Sequence, residues 1–120
     1  MAKADYDLKL NQLHEAGFFR SIEINRGIEK ESLRVNSLGY ISANDHPKSL
    51  GSPLTNPSIT TDFAESLVEL VTPTFTSVDD LYEHLLKLHI FVSRNLDKET
   101  LWPYSMPPKI EDEDSIKLAK

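Results

Sequence analysis

Between Ser77 and Leu96 the sequence repeats apolar residues at steps of three and four: Val78, Leu81, Leu85, Leu88, Val92 and Leu96. That period gathers them into one stripe of an α-helix, and a stripe of this length has to be buried against another part of the chain. Ser77 is placed to cap the first turn, and Asp79 and Asp80 suit the positive end of the helix dipole. The spacing predicts a helix over 78–96 whose apolar side serves core packing. The remaining residues must therefore supply an apolar surface to receive it.

Strand patterns supply that surface. In the segment from Ser21 to Val35, Ile22, Ile24, Ile28, Leu33 and Val35 follow a mostly two-residue rhythm, and Asn36-Ser-Leu-Gly39 has turn chemistry. Two strands joined by that turn are expected, the second near Tyr40–Ser42. The stretch from Ser66 to Thr72 contains Leu67, Val68, Leu70 and Val71 and ends before Pro73, so a strand is expected there. A helix is the alternative, because Asp62-Phe-Ala-Glu65 resembles a capping box. His46 to Pro57 holds three prolines and Gly51 and reads as a loop with one helical turn at Pro47–Leu50. A short helix is expected over Asp5–Ala16, with Tyr6, Leu10 and Leu13 at helical spacing and Gly17 as its cap. The segment from Trp102 to Pro108 should be extended. Mixed strands and helices in this order give an α+β fold.

Charge and composition narrow the function. The formal net charge is −6, which argues against a nucleic-acid backbone or an anionic membrane as main partner. No apolar run approaches the roughly 20 residues of a membrane helix, and the start of the chain lacks the apolar core of a secretory signal, so a cytoplasmic protein is expected. The chain has no cysteine, which removes disulfides, thiolate metal sites and a cysteine nucleophile together. Glycine occurs only at 17, 27, 39 and 51, so there is no glycine-rich phosphate loop. The histidines at 14, 46, 84 and 89 show no metal-ligand spacing and read as ordinary surface or core residues.

What remains for chemistry is a set of carboxylates. In Glu29-Lys-Glu31 the two acids fall on one side of a strand, with Leu33 and Val35 continuing that side toward a core and Lys30, Ser32 and Arg34 on the other. Asp62, Glu65 and Glu69 lie in a second, otherwise apolar segment. Carboxylates on apolar-leaning faces need a counter-charge. Bound Mg²⁺ or Mn²⁺ is one solution; solvated strand ends, or pairing with Arg26 or Arg34, is the other. The residues alone leave both open.

The blocks Arg26-Gly-Ile-Glu-Lys-Glu-Ser-Leu-Arg-Val35, Leu50-Gly-Ser52, Ile59-Thr-Thr-Asp-Phe-Ala-Glu65 with Glu69, and Trp102-Pro-Tyr-Ser-Met-Pro107 occur in one order. Together they resemble the proteobacterial type of glutamate–cysteine ligase, and the likeness covers nearly all of the chain from Gly17 onward. The resemblance implies an antiparallel sheet belonging to a catalytic domain related to glutamine synthetase. It implies ATP as co-substrate, Mg²⁺ as metal, and L-glutamate and L-cysteine as the molecules joined. By position, Glu29, Glu31, Asp62 and Glu69 would be the metal-binding carboxylates and Phe63 a residue of the cysteine pocket. Family members are several times longer than 120 residues, so residues 1–120 are expected to be the amino-terminal part of one larger catalytic domain, inactive alone. Two other classes fit the same residues: a non-catalytic acidic module that binds metal or protein, and another carboxylate–amine ligase with a different amine.

Overall fold

The computed structural model describes residues 3–119. In chain order the elements are α1 (Lys3–Glu15), α2 (Phe18–Ser21), β1 (Glu29–Val35), β2 (Ile59–Thr61), β3 (Leu67–Val71), α3 (Val78–Arg94) and β4 (Thr100–Leu101), with single 3-10 turns at Lys48–Leu50 and Glu113–Ser115. The strands form one sheet in the order β2-β3-β1-β4, antiparallel throughout. The fold class is therefore α+β, as the sequence implied.

Cross-strand register decides which residues share a face. Lys30 lies opposite Leu70, Ser32 opposite Val68, and Ile59 opposite Leu70. These residues, with Arg34, form the face that α3 covers, because directly opposed side chains project to the same side. Val68 and Leu70 are almost fully buried there and pack with Ile59, Leu50, Val92 and Leu96, joined by Leu85, Leu88 and Leu101. The helical stripe read from the sequence is thus the lid of this core. Ser77 caps α3 as expected, its Oγ accepting from the Asp80 amide at 3.2 Å.

The side assigned to Glu29 and Glu31 is corrected by this register. It reaches a buried environment only at its far end, where Val35 is buried and Leu33 half-buried, while both glutamates are exposed. The main core lies on the Lys30-Ser32-Arg34 side instead. That side accepts an arginine because both terminal nitrogens of its guanidinium are paired with oxygen atoms. Arg34 Nη1 donates to Glu99 Oε2 at 2.5 Å, and Nη2 donates to the carbonyls of Asn44 (2.8 Å) and Glu65 (3.0 Å). Ser42 Oγ and Asn44 Nδ2 both donate to Glu99 Oε1, so each carboxylate oxygen is used. Burial alone would raise the Glu99 carboxyl. The hydrogen bonds from Ser42 and Asn44 and the charge of Arg34 outweigh it and hold the group below its ordinary value.

Three other expectations change in detail. The strand expected near Tyr40–Ser42 is reduced to isolated bridges, Val35 with Ile41 and Tyr40 with Lys109. The turn forms as expected, with Asn36 Oδ1 accepting from the amides of Leu38 and Tyr40 and Gly39 at φ 81°. The Asn36 amide donates to Tyr40 O and the Ser42 amide to Arg34 O, so the return segment pairs with β1 over one bridge only, while the Ile41 amide, on its outer side, donates to Lys109 O. Asp62-Phe-Ala-Glu65 is a tight turn between β2 and β3, not a helix start, because the Leu67 amide donates back to Ala64 O at 2.9 Å. The amino-terminal helix is present, but none of its residues is buried.

Candidate metal-binding face

The uncovered face of the sheet carries the acids. Glu31 stands directly opposite Glu69 across the β1–β3 pair, and Glu29 lies two residues along β1 on the same side. Opposed residues of an antiparallel pair have Cβ atoms about 4.5–5.5 Å apart, so two like charges are held side by side by backbone register. The register itself is extended past the strand ends. Arg26 and Phe75 exchange two backbone hydrogen bonds, and the Ile28 amide donates to Thr72 Oγ1 at 2.9 Å. Asp62 closes β2, its amide donating to Leu67 O at 3.3 Å.

Electrostatics tie these four residues into one group. Burial, followed by the charges of Glu29, Asp62 and Glu31, raises the Glu69 carboxyl above its ordinary value. Among the described residues none of the four forms an ion pair: the salt bridges are Arg34–Glu99, Lys87–Glu83 and Lys117–Asp45. Of the plainer reading, solvated or paired glutamates, the pairing of Glu29 and Glu31 with Arg26 or Arg34 is not formed, while both side chains are exposed to solvent. Arg34 is spent on Glu99, and Arg26 Nη1 donates to the carbonyls of Ile24 and Thr76. Among the described residues no three acidic or histidine side chains are already gathered as a metal cage. The donor chemistry nevertheless fits a hard divalent cation, since all four groups are carboxylates that share one uncompensated charge cluster.

The other residues singled out in the sequence fall elsewhere. Phe63 sits in the β2–β3 turn beside Asp62 and is 75% exposed, with its carbonyl accepting from the Ala119 amide. Glu65 turns away from the acidic face. It is buried, and one of its oxygens accepts from the His46 amide at 3.4 Å. The sequence reading passed over Glu99, which through Arg34 anchors the far end of β1. Its partner is separated by 65 positions, and no local pattern marks it.

Relatives agree with this architecture. The family described as glutamate-cysteine ligase matches residues 10–120. A glutamate–cysteine ligase from Hahella chejuensis is 50% identical over 82% of this chain and 19% of its own length, and one from Pseudomonas aeruginosa is 49% identical over the same shares. The chain therefore spans about a fifth of the length of the curated relatives it matches. Among solved structures, a glutamate–cysteine ligase from Francisella tularensis in complex with AMP superposes with a TM-score of 0.75 at 40% identity, covering 79% of this chain and 19% of that one. A bifunctional glutathione synthetase from Pasteurella multocida gives 0.76 at 39% identity, covering 80% and 13%. With a matched family over nearly its whole length and a fold that superposes on that family's solved members, the chain belongs to the glutamate–cysteine ligase family.

Proposed function

We propose that this chain supplies the opening strands and one set of metal-binding carboxylates to an ATP- and Mg²⁺-dependent ligase that joins the γ-carboxylate of L-glutamate to the amino group of L-cysteine. The observation that carries the proposal is the Glu31–Glu69 pair, opposed on the uncovered face with Glu29 and Asp62 in electrostatic reach. The AMP held by the Francisella relative supports a nucleotide as co-substrate.

In that reaction the γ-carboxylate oxygen takes the terminal phosphoryl group and ADP leaves. The amine of cysteine then forms the C–N bond as the C–O bond to phosphate breaks, and the amine loses a proton. Mg²⁺, when bound, offsets charge on the phosphate oxygens during transfer. The chain's own contribution is to hold that ion through Glu29, Glu31, Asp62 and Glu69, on strands whose positions the Arg34–Glu99 pair and the α3 core fix. Phe63, exposed beside Asp62, is assigned to the wall of the cysteine pocket.

Residues 1–120 are read as the amino-terminal part of one larger catalytic domain, which the 19% share of the relatives supports. Alone, the chain should form no γ-glutamylcysteine. No helix among the described residues is long and apolar enough to cross a membrane, and we assign the reaction to the cytoplasm, where ATP and free amino acids are at hand.

The test is an NMR titration of the 120-residue chain with Mg²⁺. Saturable movement of the amides of residues 29–31, 62 and 67–71 is expected, weaker in acid, stronger as pH rises through the acid range and Glu69 loses its proton, and absent in Glu69→Gln. Movement confined to the acidic run at Glu111–Asp114, or unaltered by the substitution, would refute the metal assignment. ATP-dependent formation of γ-glutamylcysteine by the chain alone would refute the division of the domain.

A further inference from the structure

The covered side of β1 carries a second charged feature that the ligase reading does not use. Lys30 projects away from the carboxylate face, into a cavity of about 370 Å³ between β1, α3 and the segment that follows β4. Its walls include His89 and Ser93 from α3, Ser32 from β1, and Trp102. Among the described residues Lys30 forms no ion pair, and its ammonium donates only to Ser32 Oγ, at 2.6 Å. The hydroxyl that receives it belongs to a buried residue, 7% exposed. His89 makes no hydrogen bond to a described residue. Glu99 also borders the cavity, but both its oxygens are occupied by Arg34, Ser42 and Asn44.

Two basic side chains therefore face one recess with no free carboxylate to balance them. Both residues line the same cavity, and burial, then the neighbouring charge of Lys30, holds the His89 imidazole below its ordinary value. Such a pair is relieved by an anion that takes hydrogen bonds from both. The buried Ser32 and the Ser93 hydroxyl supply further donors, and the indole of Trp102 with Leu101 supplies an apolar wall.

We propose that the Lys30–His89 recess is a binding site for a phosphate group, on the opposite side of β1 from the metal-binding face. A dianion of that size meets the Lys30 ammonium and an N–H of the His89 ring at once, and the cavity leaves room beyond it for a small organic substituent against Trp102. Because Lys30 lies between Glu29 and Glu31 in the chain, occupancy fixes the strand that carries both acids from behind.

The test uses the full 120-residue chain without divalent metal, so that phosphate cannot be recruited to the acidic face. Inorganic phosphate is titrated at constant ionic strength, with chloride as control, while the ring signals of all four histidines are followed by NMR. The expected result is a saturable shift at His89 with His14 and His46 unmoved, and an affinity at least ten-fold weaker in Lys30→Gln. A linear drift shared by the histidines, or an unchanged affinity in Lys30→Gln, would overturn the proposal. Trp102 is the single tryptophan, so its emission gives a second readout in His89→Gln, where the same loss is expected and wild-type binding would count against the site. Tighter binding of phenyl phosphate than of inorganic phosphate would assign the recess to an organic phosphomonoester; equal binding would assign it to free phosphate.

Discussion

The two faces of the sheet are built from the same strands, yet they solve the problem of charge in opposite ways. Under α3, the one arginine is matched by Glu99 and by backbone carbonyls until nearly every donor is used; only its Nε lacks a partner. On the uncovered face, Glu29, Glu31 and Glu69 are aligned with no ion-pair partner among the described residues, and burial together with these like charges makes Glu69 bind its proton more tightly. A satisfied charge marks a face that holds the structure together. An unsatisfied cluster on rigid strands marks a face kept for something that arrives later.

The sharpest way to break this contrast is to remove the buried cation. Arg34→Leu leaves Glu99 with no positive partner, and losing one member of a buried pair costs about 3–5 kcal/mol. Denaturant unfolding should show a loss of that order. In the wild type, the depressed Glu99 carboxyl contributes stability that is complete above its unfolded value and disappears as pH falls through its folded value. The variant should show a smaller acid-side loss, because the hydrogen bonds from Ser42 and Asn44 remain when the charge of Arg34 is gone.

A somewhat smaller effect separates the apolar residues of the two faces. Leu70→Ala empties a fully buried position and should cost about 2–5 kcal/mol. Leu67→Ala, half-buried on the other side, should cost about 1 kcal/mol or less. Equal losses, measured by urea unfolding, would mean that both faces are structural.

The smallest effect has the opposite sign. Glu69→Gln removes a charge that its neighbours oppose, so the metal-free chain should melt slightly higher at neutral pH. A carboxyl whose folded value is raised costs stability as pH rises above its unfolded value. The advantage of the variant should therefore fade as the pH is lowered through the raised Glu69 range and the wild type protonates. Thermal melts at several pH values would show it.

These faces were only half legible in the sequence. The α3 stripe and the strand at 67–71 were readable because each obeys one period over its length. The acids were readable as a group because carboxylates inside apolar runs are anomalous wherever they point. The orientation of β1 was not readable, since the residues on its covered side are Lys30, Ser32 and Arg34, a polar set by any local measure. Their burial depends on Val68 and Leu70 across the sheet and on Glu99, 65 positions after Arg34. The segment at Tyr40–Ser42 was not readable for a similar reason, since besides its two hydrogen bonds to Arg34 and Asn36 it pairs with the distant Lys109, which no local pattern marks. The Lys30–His89 recess was equally hidden, because the histidine looks ordinary on its own helix.

The pairing of β1 with β3 also sets the order in which this chain can become functional. β2 and β3 are joined by a tight turn and α3 follows at once, so these three can meet through short loops. β1 reaches them only after residues 36–66 have been closed into a loop, with the entropy loss that a long closure entails. Contacts of such sequence separation form slowly. Glu31 thus comes opposite Glu69 only when β1 is captured, and any fluctuation that releases β1 dismantles the acidic cluster while the β2–β3–α3 unit still stands.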